Sequence, residues 1–406
     1  MTDIRLKYLI QLNPRVSMAN LDKDAEVAFA PMECIKQGSM KPYIKTAGEY
    51  NSSYNCFENG DLLIAKVTPC FENGNIAIAD NLPNGVGFGS SELFVIRTQL
   101  NAKLLFYIFQ SNLFRDTAMQ SMTGTAGLKR VSSDAIRNFR IKRFSVKKEL
   151  SIIKFLDCKT ESLETLISDK EKLIQLLEEK RTAIISSAVT KGIDSAAEMQ
   201  DSGAEWLGYI PSHWRVVPAK ALFAQSKETR YETDIQLTAS QKYGIISQED
   251  YMERQSYKIV LADKGLENWK HVEPNDFIIS LRSFQGGLEI SYIPGCITWH
   301  YIVLKPKAGV EPEYFKWLFK SPRYIQALQR TANFIRDGQD LRFSNFVQVP
   351  LPLIPMDEQK EIAEYLNKET ARIDSIIADI TEQIEKLKEY RQSVISEVVT
   401  GKVAVE

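Results

Sequence analysis

Two stretches of this chain repeat one amphipathic pattern, "EEKRTAIISSAVTKG" at 178–192 and "KEYRQSVISEVVTGK" at 388–402. Arg181 corresponds to Arg391, Ile185 to Ile395, Ser186 to Ser396, Val189 to Val399 and Thr190 to Thr400, each at 391 − 181 = 210. At that offset the match runs without gaps back to about residue 147, pairing Ile152 with Ile362, Leu156 with Leu366, Thr160 with Thr370 and Ile174 with Ile384. Most matched positions are apolar, so the repeated quantity is a buried stripe. A repeat of this length limits the possible architectures before any local reading does.

The stripe has helical spacing. Leu156, Leu163, Leu177 and Ile184 lie at multiples of seven, with Lys170 in the skipped slot. Ile152, Leu166 and Leu173 form a second seam, widened by Ile153, Ile167, Ile174 and Ala188. The second copy supplies Leu366, Ile373, Ile380, Leu387 and Val394, with Ile362 and Ile376 beside them. Apolar residues every 3.5 positions on average, separated by Lys, Glu and Gln, predict a coiled-coil face. Neither segment contains proline, or glycine before its last few residues. Each helix of roughly 40 residues is then about 60 Å long. Alone, it leaves an apolar strip in water, and the economical solution packs the two copies on each other. The expected interface is Leu156, Leu163, Leu166, Leu177 and Ile184 with Leu366, Ile373, Ile376, Leu387 and Val394. Two unrelated long helices, each covering its own domain, leave the constant offset unexplained.

The segments before the helices correspond more loosely. "GDLLIAK" (60–66) matches "NDFIISL" (275–281), "ELFVIRT" (92–98) matches "HYIVLKP" (300–306), and "LLFYIFQSNLFR" (104–115) matches "EYFKWLFKSPRY" (313–324). "IRLKYLI" sits like "VPAKALF". Offsets drift, as they do when loops change length on a common scaffold. The expected order is a globular unit at 1–146, a long helix at 147–192, a polar linker at 193–204, a second unit at 205–356 and a second helix at 357–402. Short β-branched runs such as "DLLIAKV" and "LFVIRT", bounded by "ENG", "NLPNG" and "GFGSS", predict mixed sheets with a few helices. The fold class is α+β: two mixed α/β units and two long helices, with an internal pseudo-twofold repeat.

The 406 residues suffice for more than one apolar core. No apolar run approaches the roughly 18 to 20 residues that span a bilayer, and the start lacks signal-peptide features. The chain therefore reads as cytoplasmic. The five cysteines and three histidines are scattered, which argues against a disulfide framework or a zinc site. A net charge of −1 argues against binding nucleic acid through global charge, while leaving room for local basic patches.

Candidate contacts lie on loops. "KVTPCFENGN" supplies Lys66 and Thr68, and "TGTAGLKRVSS" supplies Lys129 and Arg130. In the second unit "SLRSFQGG" supplies Arg282, Ser283 and Gln285, and "NFIRDGQDLR" supplies Arg336, Gln339 and Arg342. Arg, Lys and Gln on glycine-flanked loops suit the base edges and phosphates of duplex DNA. An ordinary solvated surface accounts for any one of them equally well. "TGTAGLKR" lacks the G-x-x-x-x-G-K-[ST] pattern of a phosphate loop. Neither H-E-x-x-H nor G-x-S-x-G occurs, nor the Asn/Asp-Pro-Pro-aromatic tetrad of amino-methyltransferases. No catalytic centre is expected.

Together, "EWLGYIPSHW" (205–214), "VPLPLIPMDEQKEIAEYL" (349–366), "GTAGLKRVSSDAIRNF" (124–139) and the doubled RxxxISxxVT resemble the DNA-specificity subunit of type I restriction-modification systems. The resemblance covers essentially the whole chain. The first unit departs from it. It starts at "RLKYL" without a tryptophan-rich preface, and "RIKRFSVKKEL" replaces the proline-rich exit. The resemblance implies two target-recognition domains separated by an antiparallel helix pair. Each domain would read half of a split double-stranded DNA site, and the helices would set the gap. It further implies two modification (methyltransferase) subunits using S-adenosylmethionine, and restriction subunits using ATP and Mg, in defence against foreign DNA. This chain itself would be non-catalytic and bind no cofactor. The competing expectation is a coiled-coil assembly scaffold whose globular units bind protein.

Overall fold

The computed structural model describes residues 3–16, 21–125, 127–240, 242–255, 265–281, 283–332 and 341–405. Two compact units emerge, one of Met1–Glu171 with Thr381–Glu406, the other of Lys172–Ile380. The division falls inside the long helices, Val146–Lys191 and Met356–Val399, because the ends of each helix pack into a globular core.

The first unit holds two four-stranded sheets. One is antiparallel throughout, in the spatial order Ile10–Leu12, Leu93–Thr98, Leu62–Ala65, Ile76–Ile78. The run "LLIA" has no polar face because both faces of its strand are covered. Alternation sends Leu62 and Ile64 into one cluster with the helices, and Leu63 and Ala65 into another with the second sheet. That second sheet orders Tyr43–Thr46, Glu26–Ala30, Val86–Gly89 and Asn55–Glu58, with a parallel pair at its centre.

The second unit has an antiparallel sheet of the same plan: Phe223–Gln225, Ile302–Pro306, Phe277–Ile279, Glu289–Ile290. Phe277 and Ile279 enter one core, and Ile278 enters another with Leu237, Val272 and Val303. Where the first unit has its second four-stranded sheet, this unit has separate two-stranded sheets, Leu237–Ser240 with Gly244–Ser247 and Lys270–Val272 with Gly295–Ile297.

Each unit also carries a pair of nine-residue helices joined at one serine. Ala102–Gln110 and Asn112–Gln120 meet at Ser111, and Pro312–Lys320 and Pro322–Arg330 meet at Ser321. Ser111 Oγ donates to Ile108 O (2.6 Å) and accepts from Phe114 N (3.4 Å). Ser321 Oγ does the same with Leu318 O (2.7 Å) and Tyr324 N (3.4 Å). One hydroxyl thus closes one helix and caps the next.

The first long helix has 46 residues and the second 44. The first is followed by Gly192 at φ 73°, whose N–H bonds to Ala188 O at 3.1 Å, and Gly401 stands at φ 67° after the second. Both are left-handed terminators that a side chain would strain. Within the first unit the helices run antiparallel: Glu164 meets Arg391 at 3.1 Å and Lys170 meets Gln383 at 2.6 Å. Within the second, Arg181 meets Asp374 at 3.4 Å.

Burial along the two helices repeats at the same offset of 210. Leu156 and Leu366, Leu163 and Ile373, Ala188 and Val398, and Val189 and Val399 are all buried. Leu177, Ile184, Leu387 and Val394 are half-buried. Two expected interface residues are corrected. Leu166 is 43% exposed and its counterpart Ile376 is 37% exposed, and neighbouring Leu173 is also exposed. The buried seam steps from Leu163 to Ile167 in the first helix, and from Ile373 to Ile380 in the second. A heptad count fixes the seven-residue spacing but not whether the companion seam lies three or four positions on.

In the second unit the sequence motifs "EWLGYIPSHW" and "VPLPLIPMDEQ" meet. Trp206 Nε1 donates to Pro350 O at 3.0 Å, and Trp214 Nε1 donates to the Glu358 carboxylate at 3.0 Å. Gln359, fully buried, donates to Gly309 O and Ile354 O and accepts from Glu311 N at 2.8 Å. Position 149, the Gln359 equivalent in the first unit, is a buried glutamate that accepts a hydrogen bond from the Asn101 backbone.

Candidate nucleic-acid interface

The first unit brings its two candidate loops into one structure. Strands Thr123–Thr125 and Leu128–Arg130 form a hairpin, and residues 66–68 run along its second strand. Thr68 N donates to Lys129 O at 3.0 Å, and Val131 N donates to Lys66 O at 2.8 Å. The Thr68 hydroxyl is buried, donates to Gly127 O (2.7 Å) and accepts from Lys129 N (3.0 Å). Thr68 therefore holds the hairpin rather than offering itself to a ligand. Gly124 stands at φ 145°, and a Cβ there would lie 2.2 Å from Leu128 O, so the turn needs glycine.

Lys129 and Arg130 are exposed on this hairpin. Arg130 forks onto Glu92, with Nε 3.0 Å and Nη2 2.9 Å from its carboxylate oxygens. Lys66 Nζ lies 3.7 Å from the same carboxylate and over the Phe94 ring. The Arg130 hydrogen bonds hold the Glu92 carboxyl below the usual carboxylate range, against the opposing pull of its burial. The patch brings two cations, Arg130 and Lys66, to one anion. Nothing local in the sequence marks Glu92, which lies 38 residues before Arg130 and is reached only through the sheet.

In the second unit Arg282, Arg336 and Gln339 lie outside the described residues. Ser283 is fully buried, and its Oγ accepts from Ser280 N at 2.8 Å at the start of the short helix Ser283–Gly286. Buried there, it anchors its loop and has no face for a ligand. Gln285 and Arg342 are exposed. Arg342 N donates to Asn345 Oδ1 at 2.9 Å, and Asn345 Nδ2 donates to Thr331 O at 2.8 Å. Gln329 Nε2 donates to Phe284 O. The loops bearing Gln285 and Arg342 are thereby tied to the same helix end, that of Pro322–Arg330. In the first unit the hairpin follows the equivalent helix, Asn112–Gln120.

Among the described residues no group of three or more His, Cys, Asp and Glu could hold a metal ion, and no helix is long and apolar enough to cross a membrane. What the two loop sets offer chemically is hydrogen-bond donors and positive charge on rigid supports. Such groups grip phosphates and read base edges.

Residues 211–386 match the family model described as type I restriction modification DNA specificity domain. The chain is 35% identical over 144 residues to the type I restriction enzyme EcoEI specificity subunit of Escherichia coli, covering 34% of this chain and 24% of that one. It is 39% identical over 132 residues to the EcoAI specificity subunit of the same species, covering 31% and 22%. The chain thus spans about a quarter of the length of these two relatives. In fold it is similar to a chain from a study of complex assembly and conformational transition of the type I R-M system. The TM-score is 0.75 at 15% identity, over 99% of this chain and 98% of that one.

Proposed function

We propose that the chain, which is similar to type I restriction-modification specificity subunits, is the non-catalytic DNA-reading subunit of a cytoplasmic methylation and restriction complex. Each unit reads one half of a split site in duplex DNA through its loop set. The two long helices, paired antiparallel as a coiled coil, set the gap between the halves. Two modification subunits carry S-adenosylmethionine and methylate adenines, and restriction subunits bring ATP and Mg.

The observation that carries this reading is the repetition of burial at a constant offset along both helices. It supports a pseudo-twofold arrangement, which presents two like surfaces to two copies of a partner. Exposure repeats too: Phe155 and Tyr365 are each 38% exposed, and Leu166 and Ile376 are both exposed. Paired apolar residues left in water at equivalent positions support two equivalent docking sites. The near-neutral charge of the chain fits a grip on DNA shared with those subunits.

The test is a genome-wide map of methylated adenines in cells with and without this gene. The reading requires one split motif to lose methylation when the gene is deleted. An unaltered map contradicts it.

A further inference from the structure

A surface meant only to grip phosphates is weakened by a carboxylate, yet Glu92 sits in the middle of the first unit's basic patch. An ion pair this exposed adds little to stability, typically less than about 1 kcal/mol. Its geometry is specific, however. Arg130 approaches through its Nε–Nη2 side, at 3.0 and 2.9 Å, and Lys66 closes on the same carboxylate at 3.7 Å. A guanidinium has five N–H groups in one plane, and a fork through Nε and Nη2 leaves the outer Nη1–Nη2 edge outside that pairing. That edge presents two parallel N–H donors, the complement of guanine O6 and N7 in the major groove. The supports on both sides are fixed. Glu92 directly precedes the strand Leu93–Thr98, and the Arg130 strand is held by Thr68.

We propose that Arg130 reads a guanine in one half-site with its outer guanidinium edge, and that Glu92 is the positioning residue that fixes its plane. This rests on the DNA-reading function proposed above and deepens it. Glu92 has two consequences for binding. It orients Arg130 before DNA arrives, so the side-chain entropy is already lost in the free protein. It also removes one unit of positive charge from the patch, which lowers affinity for sequences without the guanine.

The test selects a duplex library with a randomised 20-base-pair segment. The full chain is used, purified from its own cells with the subunits that stay bound. Glu92→Gln is expected to move two readouts in opposite directions. Guanine preference at one position of one half-site falls roughly tenfold or more, while affinity for random duplex rises and the salt slope steepens by about one. Arg130→Lys is expected to lose the preference at that same position. A structural role alone moves every position of the half-site together. Retention of the native preference in both variants overturns the proposal, as does a native half-site lacking guanine or a uniform loss over the whole half-site. If the native chain enriches no sequence, the DNA-reading function itself fails, a result distinct from these.

Discussion

Arg181 lies 3.4 Å from the carboxylate of Asp374. Arg391 lies 3.1 Å from Glu164. Arg391 is the repeat of Arg181, and Glu164 is the repeat of Asp374, since 391 − 181 = 210 and 374 − 164 = 210. The same pair of repeated positions therefore meets within each unit. The same logic links Tyr107, whose hydroxyl donates to Asp157 at 2.6 Å, with Trp317, whose Nε1 donates to Asn367 at 3.0 Å.

Equivalent seam positions are expected to cost equally. Leu163→Ala and Ile373→Ala each remove a buried side chain and are expected to destabilise by about 2 to 4 kcal/mol. Leu166→Ala, at an exposed position, is expected to cost less than about 0.5 kcal/mol. Urea unfolding of the three variants checks this. A larger loss for Leu166→Ala than for Leu163→Ala contradicts a seam through Leu163 and Ile167.

Glu149 occupies the place that Gln359 fills in the second unit. Burial raises its pKa above the ordinary value, against the lowering effects of the Asn101 hydrogen bond and nearby Arg143. A carboxyl whose folded pKa lies above its unfolded value stabilises most when protonated, and that contribution is lost as pH rises. Glu149→Gln supplies the neutral group and is expected to raise stability at pH 7. The gain should vanish at acid pH, where Glu149 is already protonated. Thermal unfolding at both pH values tests it.

Asp276 is buried, and desolvation raises its pKa to about 6, with the Glu273 N–H and Lys305 opposing. Its contribution to stability is expected to fall as pH rises from the ordinary aspartate range to about 6, and to stay level above that. Asp276→Asn keeps an acceptor for Glu273 N and is expected to flatten this part of the stability profile. An unchanged profile between pH 4 and 6 contradicts the assignment.

Thr68 holds the basic hairpin through one hydroxyl. Thr68→Val keeps its shape and leaves Lys129 N and Gly127 O without that partner, a loss of about 1 to 3 kcal/mol. Amide exchange at Lys129 is expected to speed up more than exchange in the sheet behind it. Equal exchange at both places contradicts the pinning role.

The long helices were legible because one stripe was written twice, with no helix breaker inside it. The choice of Leu166 and Ile376 failed because a spacing of seven does not say on which side of Leu163 the second seam falls. The short apolar run "DLLIAKV" between turn signals indicated a strand, but only the structure shows that both faces of its "LLIA" segment are covered. Thr68 and Ser283 were singled out as polar loop residues, yet burial turns their hydroxyls to backbone groups. Glu92 carried no local signal, because its partners come from distant strands.

In the proposed function the helices act as a spacer between two DNA-reading units. Seven residues inserted after Lys172 and seven after Glu382 lengthen each helix by about 10 Å, the length of about three base pairs. Methylated adenines mapped in cells carrying this variant should show both half-sequences unchanged and the gap between them wider by about three base pairs. The native gap, retained with full methylation, would contradict the account.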